Sequence, residues 1–179
     1  MWLTQMREAD SYTYAHSLDN CALAVAFGRH MGLPKEDLNT LAMGLLLMDI
    51  GKMKIPARIL NKTEPLSEQE FNLVRSHVGH SVDILKKSEG ISIDIVNIAL
   101  THHERFDGSG YPVGIAGENI PLGARIVGLF NHFDNLVFPR FSEKKLSLED
   151  AMETISNQAG RQFDSQLIKN FMAFTESNA

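Results

Sequence analysis

Residues Ala42 to Met48 (Ala-Met-Gly-Leu-Leu-Leu-Met) place apolar side chains on nearly every side of the helix they predict. A helix without a polar face has no place at a protein surface and is packed into an interior. The run ends in Asp49, so the same segment carries a carboxylate inward. Burying that group alone is very costly; it has to be paired, hydrogen-bonded or bound to a metal ion. Lys52 follows three residues later and shares its face if the turn continues. Two readings stand side by side: an internal Asp49–Lys52 ion pair, or a carboxylate reserved for a cation.

Helical spacing recurs along the rest of the chain. Ala15, Leu18, Ala22, Val25, Ala26 and Met31 predict an amphipathic helix over Tyr12–Met31, capped by Asp10 or Ser11 and ended by Gly32. Pro34 suits the first turn of the second helix, which is expected to run to about Ile50. Ser67-Glu68-Gln69-Glu70 reads as a capping box that opens a helix to about Ser88. A fourth helix runs from Ile91 to the His102-His103 pair. A fifth covers Ala124 to about Val137, with Ile126, Val127, Leu129, Phe130 and Phe133 as core candidates. Beyond a polar connector, Ser142 to Ser147, helices are predicted from Leu148 to about Asn157 and, capped by Asp164, to Phe174. Phe27, Phe71, Phe163, Phe171 and Phe174 read as core. No segment shows the bounded alternation of a paired strand. The expectation is one all-α helical-bundle domain of about seven helices over residues 1–179, with its core at about 12–175.

Composition narrows the function. With 44% hydrophobic and 22% charged residues, the 179-residue chain suits an ordinary globular core. A formal net charge of -5 argues against broad binding to a DNA backbone. Cys21 is the only cysteine, which excludes an internal disulfide, and its apolar neighbours predict a buried, inert thiol. No run is long and apolar enough for a membrane span, and no secretory signal opens the chain, so a cytoplasmic location is expected.

The strongest chemical signal is the stretch from His102 to Pro112, His-His-Glu-Arg-Phe-Asp-Gly-Ser-Gly-Tyr-Pro. Asp107-Gly108-Ser109-Gly110 and Pro112 break the preceding helix into a loop. Adjacent helical histidines point about 100° apart, so one ion meets both only over the helix end. Taken alone, the pair also suits a polar helix terminus. His77 and His80 share a helical face. His16, near the start of the first helix, reads by itself as a solvated histidine.

These residues resemble the HD-GYP family, metal-dependent phosphodiesterases that hydrolyse bacterial cyclic di-GMP. The stretch fits the family pattern HHE-x-x-DGSGYP. Downstream, Gly117 to Ile126 fits G-x-x-IPL-x-ARI; upstream, Asp49 to Leu60 fits DIGK-x-x-IP-x-x-IL. The resemblance spans roughly residues 12 to 175 and implies a helical bundle of the HD superfamily type holding two or three ions, usually iron or manganese. It carries metal-ligand roles onto Asp49, His77, His102, His103 and His16. Asp49 and Lys52 become the catalytic residues, and Lys52 and Arg105 the substrate contacts. The loop Gly108, Gly110, Tyr111 and Pro112 becomes a docking surface for a diguanylate-cyclase type of domain, with Tyr111 as anchor; His80 matches no family position.

The chain departs from the family pattern at four places. Met48 stands where the HD histidine belongs, Asn131 where a later aspartate belongs, and Tyr12 where some members carry glutamate. Phe138-Pro139-Arg140-Phe141 replaces a substrate-side run. The losses gather on the metal position shared by the HD histidine, the later aspartate and His16, and rescue by the neighbouring His132 is not expected. The resemblance therefore implies one surviving metal position with one bound ion. The domain is expected to act mainly as a cyclic di-GMP- or partner-binding module with weak or no hydrolysis. The alternative is an active cyclic di-GMP phosphodiesterase.

Overall fold

A computed structural model describes Thr4, Arg7 and residues 11–139 and 144–177, with the side chains of residues 11 and 12 outside that description. Its α-helices are α1 (Ser11–His30), α2 (Lys35–Leu47), α3 (Ala57–Leu60), α4 (Glu68–Arg75) and α5 (His77–Lys86). They are followed by α6 (Ile93–Thr101), α7 (Leu122–Val137), α8 (Leu148–Ser156) and α9 (Ser165–Ser177). Short 3-10 turns cover Ile50–Lys54 and Gly117–Asn119. The fold is all-helical, and among the described residues β-pairing is limited to one isolated bridge, Ala159 to Phe163.

The apolar run lies at the centre, as its lack of a polar face requires. Helix α2 packs against α1, α6 and α7 at once. Leu41, Leu45, Leu47 and Met48 are buried, while Met43 reaches solvent at 39% exposure. Phe27, Phe130 and Phe171 pack ring against ring at centroid distances of 5.3–6.1 Å and close the core. Each such side chain contributes about 1.5–3 kcal/mol by leaving water.

Several boundaries differ from the sequence expectation, each for a local reason. Helix α2 stops at Leu47, and Asp49 opens the 3-10 turn instead of ending the helix. The helix expected over residues 67–88 is two helices broken at Ser76. There the Ser76 hydroxyl donates to the Leu73 carbonyl at 2.6 Å, and His77 Nδ1 takes the Val74 carbonyl at 2.6 Å. Side chains thus hold carbonyls that a continuous helix would use. The Ser67–Glu70 capping box is present as read. Phe71 is not core: it is 48% exposed.

Helix α1 buries a different stripe from the one its apolar residues suggest. Thr13, Ser17, Asn20, Ala24 and Phe27 face inward, while Ala15, Leu18, Ala22 and Ala26 face solvent. The inward stripe also has helical spacing, but its first half is polar because it faces a polar cavity described below. Cys21 is half-buried, donates to the Ala42 carbonyl, and its thiol pKa is raised by burial. The expected Asp10 cap, Arg140, Phe141 and the connector's first residues lie outside the described residues. Among the described residues no helix is long and apolar enough to cross a membrane.

Candidate metal centre and its cleft

Three elements deliver four donors to one point. The turn after α2 presents Asp49, the first residue of α5 presents His77, and the end of α6 presents His102 and His103. One ligand atom from each of the four lies within 4.8 Å of every other. The 3-10 turn sits hard against α5, where the Gly51 amide donates to Ser81 Oγ at 2.9 Å and a β-carbon on Gly51 would collide with the His77 carbonyl. This contact sets the carboxylate beside the imidazole.

The imidazoles are oriented from behind. His77 Nδ1 donates to the Val74 carbonyl at 2.6 Å and His102 Nδ1 to the Ala99 carbonyl at 2.9 Å. Each ring therefore keeps its proton on Nδ1 and turns a bare Nε2 inward, the arrangement that a metal-ligating histidine needs. The two Nε2 atoms stand 3.5 Å apart. Asp49 Oδ1 is 3.0 Å from His77 Nε2 and 3.8 Å from His102 Nε2, and it is buried without a hydrogen-bond partner among the described residues. Acceptors crowded this closely repel one another until a cation stands between them. The residues present fit a divalent ion.

Electrostatics favour the ligating forms. Burial pushes the Asp49 carboxyl up, but the Lys52 ammonium at 2.8 Å and the nearby imidazoles outweigh it and hold the group well below the usual carboxylate range. Burial, with the neighbouring imidazoles adding to it, lowers His102 to about 4 and holds His103 well below the usual imidazole range. Both rings are neutral near pH 7, as a metal ligand must be. The Asp49–Lys52 ion pair of the first reading is also formed, through Asp49's other oxygen, Oδ2. The two readings of Asp49 thus share one side chain.

The cluster opens into a cleft of about 370 Å³, lined by Lys52, Arg75, His102, His103, Arg105, Tyr111 and others. Arg105 is exposed at its edge. His132 also lines the cleft, with Nε2 buried and no hydrogen-bond partner among the described residues, but it stays outside the four-donor group. His80 is half-buried and lies outside that group too.

His16 is not with the other histidines. Its Nδ1 lies 2.9 Å from Asp134 Oδ2, in a cavity of about 70 Å³ that Met48, Asn131, Asn20 and Ser17 also line. This is the polar face of α1 meeting α7. Asn131 accepts from Asn135 Nδ2 through its own carbonyl at 2.7 Å. Asp49 and Lys52 form the wall common to this cavity and the four-donor side.

The Gly-rich loop is held from inside, and Tyr111 is not the outward anchor expected of it. Its ring stacks on His103 at 4.6 Å and lies under the Arg75 guanidinium at 4.2 Å. The side chains pointing outward are Ser109, Pro112 and Val113. Gly108 takes a φ of +80°, which glycine adopts at no steric cost. Glu104, which sequence reasoning left without a role, is buried and accepts from the amides of Val113 at 2.7 Å and Gly114 at 3.1 Å. Its fixed place between the histidines and the loop was the available signal. Arg75 and Asp134 were also missed: Arg75 lies in no recognisable motif, and Asp134 stands in the same segment, residues 130–136, as Asn131 but drew no role.

The sequence matches the HD domain family over residues 4–167. The chain belongs to that family. As an HD domain it is 36% identical over 170 residues to a cyclic di-GMP phosphodiesterase of Pseudomonas aeruginosa, covering 95% of this chain and 41% of that one. It is 34% identical over 165 residues to the cyclic di-GMP phosphodiesterase response regulator RpfG of Xanthomonas campestris, covering 92% and 43%. These relatives bear out the HD-GYP resemblance, and the chain spans less than half of their length. In fold it is similar to the HD domain of the L. monocytogenes phosphodiesterase PgpH in complex with cyclic-di-AMP, with a TM-score of 0.73 at 21% identity over 99% of this chain and 94% of that one.

Proposed function

We propose that this HD domain holds a single divalent transition-metal ion, iron or manganese, on Asp49, His77, His102 and His103, and binds a cyclic dinucleotide of the cyclic di-GMP type beside it. The observation that carries the reading is the crowd of unpaired acceptors: two Nε2 atoms 3.5 Å apart around an orphaned Asp49 Oδ1. Mixed imidazole and carboxylate ligation suits these metals better than calcium. The names of the curated relatives supply the ligand class.

When bound, the ion offsets phosphate charge and acidifies a water. The chain's own groups do the rest. Lys52 keeps Asp49 ionised and faces the cleft, where its ammonium and Arg105 draw the phosphodiester toward the four donors. The nucleotide-binding role outweighs hydrolysis because the partner position is dismantled: Met48 offers a thioether, Asn131 a neutral amide, and His16 is paired with Asp134. A mechanism that uses two ions to hold the attacking and leaving oxygens loses one of them. Loss of a fixed electrostatic donor of this kind slows turnover on the order of a hundredfold or more. Pro112 and Val113, rather than Tyr111, are left for a protein partner of the diguanylate-cyclase type.

A second reading, an active phosphodiesterase, is favoured by the complete four-donor set and by Lys52. One experiment separates the two. Metal analysis of the purified protein is combined with calorimetric binding and turnover of cyclic di-GMP, with iron and manganese supplied in turn. One ion per chain, binding and slow turnover support the proposal. Two ions and turnover at the level of intact family members support the second reading, and no metal sinks both.

A further inference from the structure

Four side chains stack in sequence along the cleft: His103, Tyr111, Arg75 and Phe71. His103 and Tyr111 lie 4.6 Å apart at 18°, and the Arg75 Cζ sits 4.2 Å from the Tyr111 centroid and 5.0 Å from that of Phe71. The guanidinium is held between two rings. Among the described residues it has no carboxylate partner, and its Nε is buried without a hydrogen-bond partner. Phe71 lines the same cleft and is 48% exposed. An arginine fixed in place beside the Tyr111 hydroxyl, with no carboxylate of its own, keeps the outer edge of its guanidinium for a ligand. A large aromatic ring left half in solvent beside it offers a stacking surface.

We propose that Phe71 and Arg75 form a guanine-binding subsite. The base stacks on the open part of the Phe71 ring, and the edge of the guanidinium donates to its O6 and N7. The inference rests on a cyclic dinucleotide being the ligand of the neighbouring metal centre. Phosphate is the poorer occupant, because Val74 and the Phe71 ring give this end of the cleft apolar walls, while Lys52, Arg105 and the four-donor cluster already serve phosphate elsewhere along it. Adenine is the poorer base. It presents an amino donor where guanine presents O6, and arginine has only donors to offer.

The test is calorimetric titration of the whole chain with cyclic di-GMP and with cyclic di-AMP. Wild type is compared with Arg75→Lys, Arg75→Ala and Phe71→Ala, with melting temperature and bound metal measured for each. Wild type prefers cyclic di-GMP. Arg75→Lys keeps the charge but loses the fork, so it weakens cyclic di-GMP binding about tenfold or more and cyclic di-AMP binding little. Phe71→Ala weakens both about fivefold or more, since stacking is tolerant of base identity. Arg75→Lys binding cyclic di-GMP as wild type does, or Arg75→Ala weakening both dinucleotides equally, overturns the subsite alone. Wild type that carries its ion yet binds neither dinucleotide overturns the ligand reading and the subsite with it.

Discussion

The two cavities that meet at Asp49 are built from similar residue types and behave in opposite ways. On the α5–α6 side, backbone carbonyls behind His77 and His102 fix both rings and leave their inner nitrogens unsatisfied. On the α1–α7 side, His16 spends its ring nitrogen on Asp134 at 2.9 Å, and a buried methionine fills the remaining wall. The first arrangement is incomplete without a cation. The second pairs its one histidine with Asp134 and otherwise offers mainly a thioether, hydroxyls and neutral amides. A histidine near a carboxylate is therefore not enough to make a site; the number of imidazole and carboxylate donors that converge with it decides it.

The comparison breaks most sharply on metal content. His102→Ala with His103→Ala removes two of four donors and should take bound metal from one ion per chain to near zero. Since loss of even an outer partner costs about 10–100-fold in affinity, loss of two ligands exceeds about a hundredfold. His16→Ala should leave that ion in place. If His16→Ala strips the metal as completely, the two cavities are one site and the contrast is lost.

The next largest effect runs in the other direction. Met48→His with Asn131→Asp returns an imidazole and a charge to the α1–α7 cavity. Turnover of cyclic di-GMP should rise on the order of a hundredfold with a second ion bound. Binding of a second ion without that rise would show that the cavity's ligands were not what limits hydrolysis.

A smaller effect concerns how the four-donor side is held together. A β-carbon at Gly51 meets backbone of His77 and Ser81, neither of which can swing away. Gly51→Ala should cost about 3 kcal/mol in thermal or denaturant unfolding and lower metal affinity as well. Gly79→Ala, on the same helix with nothing nearby, should be neutral or stabilise by about 0.5–1 kcal/mol. Equal effects at both positions would mean that the turn is not packed on α5.

The sequence made the four-donor side legible and the other side much less so. Asp49 followed from an apolar run that had to end in a compensated carboxylate, and His102-His103 from a helix that the Gly-rich loop stops. Both arguments use only neighbouring residues. The Asp134–His16 pair joins residues 118 positions apart, and no local pattern announces it. The inward stripe of α1 was misread because Thr13, Ser17 and Asn20 are polar, and periodicity counts apolar residues; they face inward only because α7 brings polar partners to meet them. Phe71 was assigned to the core for the converse reason. Hydrophobicity alone does not distinguish a packed ring from one that lines a cleft. The break at Ser76 depended on side chains capturing carbonyls, which composition does not show.

Acid should tell the two cavities apart even without metal. In chelated protein, burial holds His102 and, with Arg105 nearby, His132 at about 4, against 6.5 in an unfolded chain. The unfolded state therefore binds more protons between those values, and the cleft side loses stability as pH falls from 6.5 toward 4. Asp134 has the opposite sign. Burial raises its carboxyl above 3.8 despite His16, so its folded state takes up the proton first and gains stability as pH falls toward 3.8. Melting temperatures between pH 7 and 4 should fall less steeply in His132→Gln, by about one proton per chain in the slope. In Asp134→Asn the fall should steepen near the acid end, because the opposing contribution is gone. A profile for Asp134→Asn that stays parallel to wild type down to pH 4 would mean that this carboxyl titrates alike in both states, with burial and the His16 contact cancelling.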